Sequence, residues 1–297
     1  MEIRLQKNYT PAFQAYYKSP FGKQFEKVLQ TGEGQDELVT NFKKVFAEKK
    51  TAKDRIGIGS WGSVFRIDDY YVFKVYHNQK PELNGFKKND NTKFDDLKTY
   101  SGKVLARIGN IELIKNVTRD KNKFTEMARP SDDGVPRYLR ALKEFASLPQ
   151  KAFDNLAMDF KKLNEIKNPN LFYRFDTNNP NNFIKVGDYI RIVDDIDWVP
   201  TEEPNDLFNL LRIFIHKEGD SEFKKEIFKK CLIASENANL PMEAAHKYFK
   251  KFMDEMCQFA NSKKNFNEIF EKLTEIRFSN KDSATKTKEI TDFINEL

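Results

Sequence analysis

The chain is poor in metal-ligating and disulfide-forming residues. Its only cysteines are Cys231 and Cys257 in 297 residues, without the paired spacing of a zinc site. The three histidines, His77, His216 and His246, are scattered, so a histidine-ligated metal centre is not expected. Such sparse cysteine suits a reducing compartment. No apolar run approaches the roughly 20 residues that span a bilayer, and the opening MEIRLQKNYTPAFQAYY lacks the apolar core of a Sec signal peptide. A soluble chain with no transmembrane segment is therefore expected. Internal repeats, low-complexity tracts and an obvious linker are also missing.

Apolar and aromatic residues are plentiful. Hydrophobic residues make up 39% of the chain and aromatics 13%, with 27 Phe, ample for a packed core and unlike a disordered chain. Lys and Arg number 51 against 45 Asp and Glu, a net +6. The excess is mild and spread along the length. Basic strings such as Lys43-Lys44 and Lys224 to Lys230 read as solvated helix faces, so no specific nucleic-acid partner is expected.

From Thr10 to Lys50 the apolar spacing predicts two amphipathic helices, with Gly32 and Gly34 between them. From Asp54 to Val75 short β-branched and aromatic runs, broken by glycines and by Asp68-Asp69, predict strand, hairpin and strand. A helix is predicted over Lys93 to Arg107, with strands at Ile111 to Val117 and Asn122 to Met127. Helices then follow over Val135 to Leu148 and Ala152 to Ile166, with a β island at Phe183 to Val193. Beyond Pro204 the spacing is helical: Leu207 to His216, Glu222 to Ala234, Met242 to Ala260, Phe266 to Phe278 and Thr285 to Leu297.

The sharpest motif is Gly57-Ile58-Gly59-Ser60-Trp61-Gly62-Ser63-Val64, a full G-x-G-x-x-G-x-V at a strand-to-strand turn. Glycines there let backbone amides approach phosphate oxygens with no Cβ in the way, and an aromatic at Trp61 would shield the phosphates from water. A dinucleotide-binding fold would need a helix straight after the motif, whereas Val64-Phe65-Arg66-Ile67 continues as a strand. The next strand, Tyr71 to Tyr76, sets Lys74 between apolar neighbours, where a fixed positive charge can hold α- and β-phosphates. Further on, Asp176-Thr177-Asn178-Asn179-Pro180-Asn181 has the D-x-x-x-x-N spacing that pairs a catalytic Asp with a metal-binding Asn. Asn182 rivals Asn181, and an Asn-rich loop also serves simply as a turn. The strand Tyr189 to Val193 then ends in Asp194, with Asp195 and Asp197 close behind. Carboxylates there suit magnesium bridging phosphates.

In this order the motifs resemble the protein-kinase-like superfamily from about residue 52 to about 215. The D-T-x-x-x-N loop and the lack of a long activation segment are similar to the small kinases that enteric pathogens deliver into host cells through type III secretion. The resemblance implies an α+β, two-lobed kinase-like fold. Residues 1–51 would form a helical N-terminal extension, 52–128 a β-rich N-lobe, and 129–297 a helical C-lobe. It implies ATP and Mg2+ as cofactors, with Gly57, Gly59, Ser60, Trp61, Gly62, Val64 and Lys74 around the phosphates. Thr125, Glu126 and Ala128 would line the adenine site, Asp176 would serve the substrate hydroxyl, and Asn181 and Asp194 would hold the metal. A Ser/Thr protein kinase delivered into the host cytoplasm is the leading expectation, with a host protein as substrate or activating factor. A small-molecule kinase, a pseudokinase that binds a host protein and a kinase-fold nucleotidyltransferase are the alternatives. Phe175 fills the usual Arg position before the catalytic Asp, so no phosphate-ordered activation loop is expected. The helix predicted at Lys93 to Arg107 holds no Glu for Lys74, leaving Asp95, Asp96 or Glu82 as its expected partner.

Overall fold

The computed structural model describes residues 16–58, 61–90, 92–117, 124–126, 137–166, 172–175, 182–193, 196–201, 204–205, 207, 221–240 and 266–296. The fold is α+β. The described residues of Met1–Asn89 and Leu105–Arg119 form one compact unit, and those of Asp90–Val104 and Asp120–Leu297 form another.

The first unit is an antiparallel sheet backed by two helices. Helix α1 (Pro20–Thr31) starts where Ser19 accepts a hydrogen bond from the Gly22 N–H and Pro20 supplies a preset φ. It stops at Gly32, whose left-handed φ of 75° lets its N–H reach the Val28 carbonyl. Helix α2 (Gln35–Lys49) carries Asp36 and Glu37 in its first turn and Lys49 in its last, as the helix dipole favours. The strands are β1 (Arg55–Ile58), β2 (Gly62–Arg66), β3 (Tyr71–Tyr76), β4 (Phe86–Lys88), β5 (Val104–Ile108) and β6 (Ile111–Lys115), in the sheet order β1-β2-β3-β6-β5-β4.

Alternation along β3 sorts its side chains onto two faces. Tyr71, Phe73 and Val75 join Phe65, Leu113 and the apolar faces of α1 and α2 in one core. Phe73 meets Phe42 edge-on at 5.6 Å, and Phe25 meets Tyr71 edge-on at 5.1 Å. The start of α1 is also pinned to the β2–β3 turn. The buried Asp68 carboxylate accepts from the Ser19 N–H (3.0 Å) and hydroxyl (2.7 Å) and from the N–H groups of Tyr70 (2.7 Å) and Tyr71 (2.9 Å).

The helix predicted over Lys93 to Arg107 does not form. A 3-10 turn at Thr92–Phe94 is followed by irregular chain and then by β5. Gly102 would weaken a helix interior by about 1 kcal/mol, and Val104, Ala106 and Ile108 are buried in period-two alternation. Tertiary partners hold the irregular part. The buried Asp159 accepts from the N–H groups of Lys98 (2.9 Å) and Thr99 (2.5 Å), while Ser101 and Gly102 donate to the Ile192 carbonyl.

The second unit carries α3 (Arg137–Ser147), α4 (Gln150–Glu165), α5 (Ser221–Ala238), α6 (Phe266–Phe278) and α7 (Ser283–Asn295). Its core joins Phe145, Phe153, Phe160, Phe228 and Ile294 to Phe183 and Ile192. Strand β7 (Phe124–Glu126) pairs with β9 (Phe183–Val186), which pairs with β10 (Tyr189–Ile192). The strand expected at Asn122 to Met127 therefore exists, but it sits in this three-stranded sheet rather than beside β6. Strand β8 (Phe172–Phe175) pairs with β11 (Ile196–Thr201). Strand β11 lies in a stretch where no strand was expected. The helix expected at Met242 to Ala260, and most of that at Leu207 to His216, lie outside the described residues. No described helix is long and apolar enough to cross a membrane.

Candidate functional site

In the first unit the described residues of the glycine motif belong to the antiparallel pair β1 and β2 and to Trp61 just before β2. Backbone register sets Gly57 opposite Val64, Val64 opposite Lys74, and Lys74 opposite Glu112. Directly opposed residues of an antiparallel pair share a face. Val64, Lys74 and Glu112 thus line the face turned away from the core face of Phe65, Phe73 and Leu113. The β2 valine of the motif and the β3 lysine are immediate neighbours.

The motif's glycines are not equivalent. A Cβ on Gly62 would meet the Val75 carbonyl oxygen at 2.8 Å, a backbone atom that has little room to yield. A Cβ on Gly57 would meet Val64 Cβ at 3.7 Å and Cγ2 at 3.9 Å, both ordinary contacts. Packing therefore explains Gly62 and leaves Gly57 unexplained by the fold. Gly59 and Ser60 lie outside the described residues. Trp61 is 71% exposed and Ile58 66%, so two large apolar side chains stand in solvent at the hairpin end. The hairpin is held from below, where the His77 N–H donates to the Trp61 carbonyl at 2.9 Å and the Ser63 hydroxyl and His77 Nε2 are 2.9 Å apart.

Lys74 is half-buried, its Nζ 5.3 Å from the centre of the Tyr76 ring. Glu112 is buried at 2% exposure and takes a 2.7 Å hydrogen bond on Oε1 from Arg107 Nη2. Its Oε2 is buried with no hydrogen-bond partner. Of the residues expected to serve Lys74, only the carboxylate of Asp95 is seen engaged elsewhere. Exposed Asp95 pairs with Lys103 at 3.2 Å, and exposed Glu82 sits in a turn where its N–H donates to Asn110 Oδ1 at 2.9 Å. Asp96 is exposed too, and its carbonyl accepts from Lys162 Nζ.

In the second unit Asp176, Asn181, Asp194 and the rival Asp195 lie outside the described residues, as does Ala128. Their described neighbours are tied together. Phe175 pairs with Ile196 and Arg174 with Asp197, while Phe183 pairs with Ile192 and the Val193 N–H donates to the Asn182 carbonyl at 2.9 Å. The strand ends before and after each candidate segment are thus joined by backbone pairing. Behind β8, the buried Asn205 donates from Nδ2 to the Tyr173 carbonyl (2.6 Å) and to Asn164 Oδ1 (2.9 Å). Thr125 and Glu126 are in β7, opposite Lys185 and Ile184. Among the described residues no three acidic, histidine or cysteine side chains gather as a metal site.

Comparison with protein-family models, with curated proteins and with solved structures finds no match. Glu112 is the residue of this site that sequence reasoning missed. Its signal was a single charge in an otherwise apolar strand, Ile111-Glu112-Leu113-Ile114, the same signal that marked Lys74.

Proposed function

We propose that the chain is an ATP- and magnesium-dependent phosphotransferase of protein-kinase type, acting on Ser or Thr of a protein substrate. The observation that carries this reading is the cross-strand row Gly57–Val64–Lys74. It sets a glycine-rich strand turn and a single lysine on neighbouring strands of one sheet, the arrangement that phosphate binding in a kinase requires. The strand order and the paired ends around the Asp176 to Asn181 segment support it further. In this reading the fold is two-lobed, Lys74 holds the phosphates, and Asp176 orients the substrate hydroxyl and accepts its proton. Asn181 and Asp194 hold magnesium, which neutralises charge on the phosphates when bound. Such chemistry is mainly positioning and charge stabilisation. The motif resemblance adds delivery into a host cell and a host protein as substrate or activator.

Incubation with γ-labelled and α-labelled ATP in host-cell extract tests the reading. Label from the γ position alone on protein supports it. Label on small molecules would make the chain a small-molecule kinase, label from the α position a nucleotidyltransferase, and no label a binding protein. Saturating Mg-ATP at about 100 times its dissociation constant should stabilise the fold by roughly 2.7 kcal/mol. An unmoved Tm in millimolar Mg-ATP would refute the nucleotide site.

A further inference from the structure

We propose that Glu112 is a positioning residue for Lys74, offering its unpartnered Oε2 to the ammonium from the neighbouring strand of the same sheet; the inference rests on the phosphate-binding role of Lys74 proposed above. Three observations carry it. Lys74 and Glu112 are register partners in the β3–β6 pairing, so their side chains leave the same face, and opposite charges directly opposed across strands attract. Glu112 is 2% exposed, and a carboxylate so deeply buried needs protein partners in place of the water it has lost. Arg107 Nη2 takes only Oε1, at 2.7 Å, while buried Oε2 has no hydrogen-bond partner. A native buried oxygen left in this state calls for a function.

The geometry also explains how Lys74 can be served although the described residues between β3 and β5 hold no more helix than the 3-10 turn at Thr92–Phe94. Elsewhere in this segment the carboxylates of Asp95 and Glu82 are on exposed chain. Glu112 instead sits on a rigid central strand, one register step from Lys74. A carboxylate carried by the sheet itself moves with the lysine, so the alignment of Lys74 needs no separate element to swing into place.

The experiment is a double-mutant cycle on the full chain, with two independent readouts. Lys74→Met, Glu112→Gln and the double variant are compared by thermal unfolding without ligand and by affinity for Mg-ATP and for adenosine. Arg107→Met serves as the control for the Arg107–Glu112 pair. The expected result is a double variant more stable than the two single losses sum to. Glu112→Gln should weaken Mg-ATP binding at least tenfold while adenosine affinity stays within twofold, and Arg107→Met should change the Mg-ATP to adenosine ratio by less than threefold. Additive stability losses overturn the inference whatever the ligand data show. If Lys74→Met loses Mg-ATP binding and Glu112→Gln does not, the inference falls while the phosphate role of Lys74 stands. A parent chain that binds no Mg-ATP overturns that role, and the positioning with it. Should Glu112→Gln fail to fold, Glu112→Asp takes its place in the cycle. It keeps the charge but shortens the reach, so parent-like Mg-ATP affinity in that variant counts against the inference.

Discussion

Alanine at Gly57 and at Gly62 should have opposite consequences, although both glycines belong to one motif. At Gly62 the added Cβ would lie 2.8 Å from the Val75 carbonyl oxygen, whereas ordinary Cβ contacts begin near 3.4 Å. Relief requires β2 to move away from β3 by about half an ångström at the point where Gly62 pairs with Tyr76, beside the His77-to-Trp61 hydrogen bond. Backbone displacement of this kind costs roughly 1–3 kcal/mol. At Gly57 the nearest atom is 3.7 Å away, so Gly57→Ala should leave stability within about 0.5 kcal/mol. Its added methyl would still stand where phosphate must approach the backbone. Urea unfolding and Mg-ATP affinity measured on both variants separate the effects. The expected outcome is a Gly62→Ala chain of lowered stability and a Gly57→Ala chain of normal stability whose Mg-ATP affinity falls at least tenfold. Normal affinity in Gly57→Ala would refute the assignment of that glycine to the phosphate site. Normal stability in Gly62→Ala would refute the close strand approach.

Lys74→Ala and Asp194→Ala should each abolish γ-phosphate transfer in a chain that still folds, with Asp195→Ala milder; an essential Asp195 beside a dispensable Asp194 would shift the metal position by one residue. Asp68→Ala removes a buried acceptor of four hydrogen bonds and should destabilise the first unit by about 3 kcal/mol, since bonds to a charged acceptor contribute roughly 1.5–3 kcal/mol each and solvent replaces some of them. Hydrogen exchange at Tyr71 to Tyr76 measures this, and protection equal to the parent's would contradict it. Burial raises the Tyr71 hydroxyl pKa, assisted by the negative charge of Glu26. The folded state therefore holds that proton more tightly; its contribution is complete below about pH 10, the ordinary tyrosine value, and is lost as pH climbs through the folded value. Tyr71→Phe should accordingly lose less stability than the parent above that pH, as followed by alkaline unfolding, and a parallel loss would remove Tyr71 as a cause.

The parts of the fold that sequence reading found are those whose cause is local. Gly32 and the Ser19 cap end and start α1 through atoms within four residues, and the glycine motif with its flanking alternation is self-contained. The segment from Lys93 to Arg107 is different. Leu97, Tyr100, Val104 and Leu105 fit one helix face by spacing, yet the same stretch contains the period-two set Val104, Ala106 and Ile108. The choice between the two falls to Asp159, about 60 residues away, and to the Ile192 carbonyl. Strands β8 and β11 were unreadable for a related reason, because each exists by pairing with the other across the intervening chain.

The same distinction governs the candidate site. Lys74 was legible because one charge inside an apolar strand stands out, and its place after the glycine turn is a matter of order along the chain. Its neighbour across the sheet depends instead on which strand lies beside β3 and in what register. The helix expected at Lys93 to Arg107 drew attention to Asp95 and Asp96 for Lys74. Once that segment is seen as a turn and an edge-ward strand, β6 becomes the strand next to β3, and register alone delivers Glu112 to Lys74. A carboxylate supplied by a hydrogen-bonded sheet is fixed as firmly as the sheet itself. In the proposed reading, Lys74 then needs no moving helix to bring it a carboxylate.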